Sequence, residues 1–337
     1  MNHRLLYIIV LITGLASCKT STPVYESFNG FIQGTTYSMI YQKTGNLEPL
    51  TMRQNVEKIL HDFDMSLSLY VDSSILAKVN RNEETTLDTY FIEAFNKSKV
   101  ISAMTNGAFD ITVGPLVKAW GFGPDAHKNF SESKRDSLLK LVGMEKVSIV
   151  NGRLIKSNPD INLDFNAIAQ GYSVDVICAY FDRLKIKTYL IEIGGEVRVK
   201  GDKGGNPWRI GIDKPEDNNM SPGDKLQAII RIKNRTLTTS GNYRKFYIEN
   251  GIKYSHTIDP KTGYPAKNQL LSATILADEC ATADGIATAC MVMGKEKTID
   301  FISKHPEFQA FLIYSDERGS FQTWMSESLK KSISETE

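Results

Sequence analysis

The sequence has no excess of charge of either sign, and this excludes one large class of function. Its 40 Lys and Arg residues are balanced by 39 Asp and Glu residues, which leaves a formal net charge of +1. Without a basic patch or stripe there is no electrostatic footprint for nucleic acid, so we expect no nucleic-acid partner. A hydrophobic share of 41% and a charged share of 23% are those of an ordinary water-soluble domain.

Cysteine is scarce as well, with 4 in 337 residues. Beyond Cys18, the three that remain are Cys178, Cys280 and Cys290, an odd number without metal-type spacing. A structural disulfide framework is therefore not expected. Cys178 and Cys290 fall within apolar helical patterns, where a cysteine is more often a small buried hydrophobe than a nucleophile. We assign none of the three a catalytic role.

A long apolar run occurs at the N-terminus. Residues 5–16 are almost wholly apolar after a short basic start, which is the pattern of a signal peptide and too short for a comfortable membrane span. The run ends in Leu15-Ala16-Ser17-Cys18, which resembles the lipobox of bacterial lipoproteins, where the cysteine is acylated. The alternative is an ordinary secretory peptide followed by a coincidental cysteine.

This start sets the expected organisation of the chain. We predict a signal peptide over 1–17, a lipidated tether over 18–27 and a single folded domain over 28–330. Acylation of Cys18 would hold the protein in the cell envelope, anchored to a membrane and facing the periplasm, while the domain stays in water.

Hydrophobic periodicity predicts a mixture of helices and strands. Helices are expected over 51–63, 90–104, 167–184, 282–293 and 298–304. Strands are expected over 31–41, 161–165, 189–199, 226–232, 245–248, 271–276, 308–314 and 321–325, with a hairpin over 147–156 around Asn151-Gly152. Because hairpins and helices mix without a regular strand-helix-strand rhythm, we predict an α+β fold. It would be one compact domain of mixed or antiparallel sheets with packed helices.

Four segments combine Asp, His, Gly and Thr in ways that a packed core does not require. They span residues 109–123, 164–172, 238–265 and 283–289. In the second, a helix begins beside Gly171, and a helix N-terminus favours phosphate. In the third, His256 leads an Asp-Pro turn and could serve as an acid or base near neutral pH, although a lone histidine is more often structural.

The fourth segment places Asp284 and Thr288 four residues apart, hence on one helical face. Two hard oxygens in this arrangement suit Mg²⁺, which keeps waters and substrate phosphates among its ligands. The structural alternative is a helix cap, with the Thr288 hydroxyl bonded back to a carbonyl.

Three more short segments complete the pattern: Gly34-Thr35-Thr36-Tyr37, Ser68-Leu69-Tyr70 and Glu192-Ile193-Gly194-Gly195-Glu196. In this order, and behind a lipobox, the seven segments resemble the FAD:protein FMN transferases, the ApbE family, over nearly the whole mature chain. The resemblance implies the family's T-fold-like architecture, and a Mg²⁺ ion held by Asp284, Thr288 and the main-chain carbonyl of Ala167.

The resemblance also implies FAD as substrate, and it assigns the dinucleotide contacts. These fall on Met39, Ser68, Leu69, Tyr70, Asp110, Asp164, Gln170, Gly194, Gly195, Ser240, His256 and Asp259. Gln170 departs from the family, in which many members carry lysine, and this removes a positive charge beside the dinucleotide.

The implied reaction is transfer of FMN from FAD to a threonine hydroxyl of an exported protein, such as a subunit of a sodium-pumping redox complex, with release of AMP. His256 is the candidate general base. Two alternatives stay open. Water could replace threonine, which gives an FAD pyrophosphatase, or the chain could be a non-catalytic flavin-binding lipoprotein.

Overall fold

The computed structural model describes residues 23–45, 48–122, 131–216, 223–242, 246–249, 252–255 and 257–335. The predicted signal peptide and Cys18 lie outside these ranges, as does His256.

The described residues form fifteen strands and eight α-helices. The strands are β1 (Tyr25–Ile32), β2 (Thr35–Gln42), β3 (Val147–Val150), β4 (Arg153–Lys156), β5 (Tyr189–Ile193), β6 (Glu196–Lys200), β7 (Trp208–Asp213), β8 (Leu226–Ile232), β9 (Thr236–Gly241), β10 (Phe246–Glu249), β11 (Ile252–Ser255), β12 (Leu270–Ala277), β13 (Gln309–Ser315), β14 (Phe321–Met325) and β15 (Ile333–Glu335). The helices are α1 (Pro49–Leu67), α2 (Ile75–Asn80), α3 (Thr89–Met104), α4 (Gly114–Ala119), α5 (Glu132–Leu139), α6 (Ala169–Arg183), α7 (Cys280–Met293) and α8 (Lys295–Lys304).

An eight-stranded sheet of order β1-β2-β5-β6-β9-β12-β13-β14 is the centre of the molecule. Each neighbouring pair in it is antiparallel. A smaller sheet of order β15-β8-β7 and two separate hairpins accompany it. The predicted α+β fold of antiparallel sheets with packed helices is therefore confirmed.

The two faces of the central sheet are covered differently. Helices pack on one face, where Ile191 of β5 shares a buried cluster with Ile177 and Phe181 of α6. The small sheet packs on the other, where Leu237 of β9 meets Ile230 of β8. Successive side chains of each strand point to opposite faces of the sheet, as strand geometry requires.

Two predicted strands are wrong in detail. Residues 161–165 form no ladder, because the Asn80 side chain takes up the polar groups of Leu163, donating to its carbonyl at 2.9 Å and accepting its N–H at 2.8 Å. The single strand predicted over 31–41 is a hairpin instead. It turns at Gln33 and Gly34, which both have positive φ angles, 55° and 73°.

The domain also extends further than 28–330. Tyr25 pairs with Gln42 in β1–β2, so the last residues of the predicted tether belong to the sheet. At the other end Ile333 pairs with Ile230. Among the described residues, no helix is both long and apolar enough to cross a bilayer.

Candidate active site

Helices α6 and α7 cross in close contact at Gly171. A Cβ atom at this position would lie 2.5 Å from the Cys280 carbonyl oxygen and 2.8 Å from Cβ of Asp284. Neither atom can yield without moving α7, so the approach requires glycine. The Gly171 N–H donates to Oδ2 of Asp284 at 3.1 Å. The crossing thus holds the Asp284 carboxylate against the first turn of α6.

Among the described residues, this hydrogen bond leaves the Ala167 carbonyl at the start of α6 without a backbone N–H partner. In a regular helix the Gly171 N–H would donate to Ala167, four residues earlier. Here the Ala169 N–H donates to Phe165 at 2.8 Å, and no described N–H donates to the Ala167 oxygen. A carbonyl and a carboxylate at one helix start are oxygens that a cation can bind. The phosphate that the sequence predicts at this helix start stays a prediction.

Two more oxygens lie at the crossing, one from strand β9 and one from α7. The hydroxyls of Ser240 and Thr288 lie 3.3 Å apart, and Thr288 follows Asp284 by one helical turn on the same face. Ser240 reaches α7 because alternate residues of β9 face the helices. Asp284 is 7% exposed, whereas Thr288 is half-buried, so these oxygens lead from the core toward the surface.

Asp175 of α6 fixes the position of α7. Its carboxylate accepts the N–H groups of Cys280 at 2.9 Å and Ala281 at 2.8 Å, the first two residues of α7. It therefore caps a helix from a neighbouring one, where free N–H groups and the helix dipole favour a negative charge. Burial nevertheless outweighs these bonds and raises the pKa of Asp175 to about 6.

The electrostatics of the crossing fit a divalent cation. Burial raises the pKa of Asp284 above its ordinary value of 3.8, and the negative charge of Asp175 raises it further. A cation would relieve both effects. No cluster of three or more His, Cys, Asp or Glu side chains that could hold a metal occurs in the described part of the chain. The available set is one carboxylate with hydroxyl and carbonyl oxygens, which suits Mg²⁺ completed by waters and substrate phosphates.

A glycine turn lies beside the start of α6. Gly194 and Gly195 connect β5 to β6 with φ angles of 68° and 106°. A Cβ atom on Gly194 would lie 2.7 Å from Nε2 of Gln170 and 3.0 Å from Cγ2 of Thr35. Gly195 would meet nothing within 4 Å, and its N–H donates to Glu192 at 2.8 Å. The amide of Gln170 therefore packs against the Gly194 turn.

The segment 68–70 lies next to Asp164. The Ser68 hydroxyl accepts the N–H of Tyr70 at 3.1 Å, and the Ser68 carbonyl accepts the hydroxyl of Ser74 at 2.6 Å. The Tyr70 ring is 66% exposed. Burial of part of the residue raises the pKa of Tyr70, and the charge of Asp164 raises it further. An exposed aromatic ring beside a half-buried carboxylate is a surface on which a planar ring can stack.

Asp110 organises its own loop. Its carboxylate accepts both the N–H of Thr112 at 2.8 Å and the hydroxyl at 2.6 Å, and it begins a short 3₁₀ helix. The preceding residue, Phe109, reaches α7: a Cβ atom on Gly285 would lie 3.4 Å from its ring. Through Phe109, the loop that contains Asp110 therefore packs close to Gly285, the residue that follows Asp284.

The turn after position 256 is stabilised by hydrogen bonds within it and by one from Trp120. Asp259 accepts the N–H groups of Lys261, through its side chain, and of Gly263, through its carbonyl, both at 2.8 Å. The Trp120 indole donates to the Gly263 carbonyl at 2.7 Å. A Cβ atom on Gly107 would lie 3.8 Å from Cε of Lys261, so this turn adjoins the loop that leads to Asp110.

The segments that the sequence singled out thus converge on one end of the α6–α7 pair, and comparisons with known proteins point the same way. The model of the ApbE family matches residues 33–312. The FAD:protein FMN transferase of Vibrio cholerae is 34% identical over 95% of this chain and 96% of its own. The Haemophilus influenzae protein of the same name is 33% identical over 96% and 95%.

The chain belongs to the ApbE family. Solved structures agree with this assignment. The flavin transferase ApbE from Vibrio cholerae superimposes with a TM-score of 0.82 at 32% identity, covering 92% of this chain and 99% of that one. The apo form of the Pseudomonas stutzeri flavinyl transferase ApbE gives 0.83 at 31% identity, covering 93% and 98%.

Within this ApbE fold, not every site residue predicted from the sequence lies at the crossing. Met39 is 0% exposed in the core, and its strand pairs on both sides, with Phe28 and Ile191. This gives it a packing role. The three later cysteines are free and buried, which agrees with their having no catalytic part. Asp175 was missed, although its place four residues after Gly171, on an otherwise apolar stripe, was an available signal.

Proposed function

We propose that this ApbE protein transfers FMN from FAD to a hydroxyl of another protein and releases AMP. The observation that carries the proposal is the α6–α7 crossing. There the buried carboxylate of Asp284 accepts the Gly171 N–H at the start of α6, where the Ala167 carbonyl has no backbone donor among the described residues, and the Thr288 hydroxyl lies one turn further along α7. That donor set suits Mg²⁺, and substrate phosphates would complete its coordination. The names of the curated relatives, FAD:protein FMN transferase, support the same reaction.

The chain's own residues would divide the work. Asp284, Thr288 and the Ala167 carbonyl would hold Mg²⁺, whose chemistry is to neutralise the pyrophosphate as it is broken. The turn at Gly194-Gly195, the Tyr70 ring and the loop around Asp110 would fix the dinucleotide. Positioning of this kind supplies much of the rate in phosphoryl transfer.

His256 and Asp259 are proposed to act on the acceptor hydroxyl. His256 would take or orient its proton, and Asp259 lies three residues further on, within a turn that two internal hydrogen bonds hold. The threonine identity of the acceptor, and its place on an exported redox protein, rest on the family resemblance. Lipid anchoring at Cys18 rests on the lipobox, and membrane partition of a Cys18→Ser variant tests it.

One assay separates this function from the two alternatives. The full chain is incubated with FAD and MgCl₂, with and without an envelope extract of the source cells, and AMP, free FMN and protein-bound flavin are measured. A transferase gives AMP in step with fluorescent flavin on a protein band. A pyrophosphatase gives AMP with free FMN, and a binding protein gives neither, so either result would overturn the proposal.

The same assay examines His256. If it serves as a general base, His256→Ala should slow FMN transfer by about 10²–10⁴-fold, while FAD affinity changes far less. Normal transfer by a variant that binds FAD normally would remove His256 from the mechanism.

A further inference from the structure

Thr238 carries a buried hydroxyl that the fold does not satisfy. The residue is 0% exposed, and its Oγ1 has no hydrogen-bond partner among the described residues. A hydroxyl buried without a hydrogen-bond partner destabilises the folded state, because it has given up its hydrogen bonds to water. A valine would fill nearly the same volume without this cost, so the hydroxyl calls for an explanation.

The register of β9 against α7 shows what Thr238 faces. The two residues at equivalent positions along β9, Thr236 and Ser240, are each near α7. Ser240 lies 3.3 Å from Thr288. The Thr236 hydroxyl donates to the Val197 carbonyl at 2.7 Å, and although burial raises the pKa of the Cys280 thiol, the neighbouring Thr236 partly offsets this. Two residues of strand advance about 6.6 Å, and four residues of helix advance about 6 Å. Because the two advances are nearly equal, the residue of α7 that lies opposite Thr238, midway between Cys280 and Thr288, is Asp284.

The pairing of β9 with β12 supports the same orientation. Thr238 lies opposite Ile275, which belongs to the cluster that Ile286 and Ala287 of α7 also join. The next residue back, Leu237, lies opposite Leu276 and packs into the cluster on the other face of the sheet. The Thr238 side chain is therefore on the helical face.

We propose that Thr238 is a positioning residue for the cation at Asp284, its hydroxyl being the outer hydrogen-bond partner of the carboxylate-cation unit. This inference rests on the proposed metal site and adds a residue to it. The Thr238 hydroxyl, which has no partner among the described residues, would take this unit as its hydrogen-bond partner. Outer partners of this kind commonly alter metal affinity by about 10–100-fold.

The test is Thr238→Val, measured without turnover. Mn²⁺ binding is followed by electron paramagnetic resonance, and melting temperature by calorimetry with and without Mg²⁺. We expect Mn²⁺ affinity to fall about 10–100-fold, and the Mg²⁺-induced rise in melting temperature to shrink. The cation-free variant should melt at the same temperature as wild type or higher, because an unsatisfied hydroxyl is gone. Thr238→Ser should restore the affinity.

Ser272→Ala is the matched control. Ser272 is 1% exposed and its hydroxyl also lacks a partner within the described ranges, but it pairs with Gly241 and so lies on the face of the sheet away from Asp284. Its removal should leave Mn²⁺ affinity unchanged.

Three results would overturn the inference. They are wild-type Mn²⁺ affinity in Thr238→Val, an equal loss in Ser272→Ala, and a Thr238→Ser variant as weak as the valine. If Thr238→Val does not fold, the comparison of Thr238→Ser with Thr238→Ala decides. A wild-type chain that binds no Mn²⁺, with or without FAD, would remove the metal site itself and is thereby distinguishable.

Discussion

The candidate site joins two regions that are held in different ways. The inner region, the α6–α7 crossing, is fixed by backbone: Gly171 admits no Cβ atom, and the Asp175 carboxylate binds two N–H groups at the start of α7. The outer region, the turn of residues 257–265, is fixed by side chains of neighbouring elements. The Trp120 indole bonds to Gly263, and the guanidinium of Arg135 lies 4.6 Å from the ring centre of Tyr264.

The contrast implies different responses to change. The crossing belongs to the main core, where Ile286 and Ala287 are fully buried, so its oxygens cannot shift without repacking the domain. The outer turn rests on a small cluster that includes Leu116 and Ile258. We infer that the crossing presets the metal geometry, while the turn is free to adjust to a ligand.

The largest effect is expected from Asp284→Asn, which keeps the size of the side chain and removes the charge. If the cation supplies several kcal/mol to the reaction, FMN transfer should fall by roughly 100-fold or more. Asp278→Asn is the control, since Asp278 precedes the same helix but has a side chain 82% exposed in an ion pair with Arg235. Wild-type transfer by Asp284→Asn would show that the crossing is only structural.

Gly171→Ala should damage fold and site together. The added Cβ atom would press on the Cys280 carbonyl, and we expect a loss of about 3 kcal/mol in the free energy of unfolding, with weakened cation binding. Gly285→Ala is the comparison on the facing helix. There the new atom meets the tip of Ile101 at 2.8 Å, which can move, and the gain in helix propensity of about 1 kcal/mol offsets the cost. Urea unfolding that ranks the two variants equally would contradict the rigid crossing.

The pH dependence of stability tests Asp175. Its pKa is raised from 3.8 to about 6, so within this window the folded chain binds more protons than the unfolded chain. Cation-free stability should therefore fall as pH rises from about 4 to about 6, by on the order of 2 kcal/mol. Asp175→Asn should reduce this slope, because one titrating group is gone while one acceptor oxygen remains. The buried Asp284, whose pKa is also raised, keeps the rest of it. Identical slopes in urea unfolding with chelator present would refute the assignment.

The sequence predicts which site residues share a helical face, but it does not predict the contacts that depend on strand pairing or on helix crossing. Asp284 and Thr288 lie four residues apart on one predicted helix, so their shared face could be derived before any fold was known. What brings Ser240 to Thr288 is strand pairing between distant segments, which local patterns do not encode. Strand β9 itself was not predicted, because its Thr-, Ser- and Gly-rich sequence is also typical of a loop. Asp175 acts across a helix crossing; its position on an apolar stripe marks it as unusual, but the helix that it caps does not follow from local patterns.

The smallest effect is expected at the outer turn, and Trp120→Phe isolates it. Phenylalanine keeps most of the packing but loses the indole N–H, so the Gly263 carbonyl loses a hydrogen bond of 2.7 Å. Such a bond contributes about 1 kcal/mol. If the turn that carries Asp259 touches the dinucleotide, loosening it should weaken FAD binding by about 5-fold, which corresponds to ~1 kcal/mol.

The control is the other indole that donates to a backbone carbonyl in a buried setting. Trp208 is 4% exposed, against 6% for Trp120, and its Nε1 donates to Lys200 at 3.3 Å, in the core on the far face of the sheet. Trp208→Phe should therefore lower the melting temperature by a similar amount and leave FAD affinity unchanged. If both variants bind FAD like wild type, the turn is only a structural support. If both bind it more weakly, the effect is one of general stability, and the distinction between an adjustable turn and a rigid crossing fails.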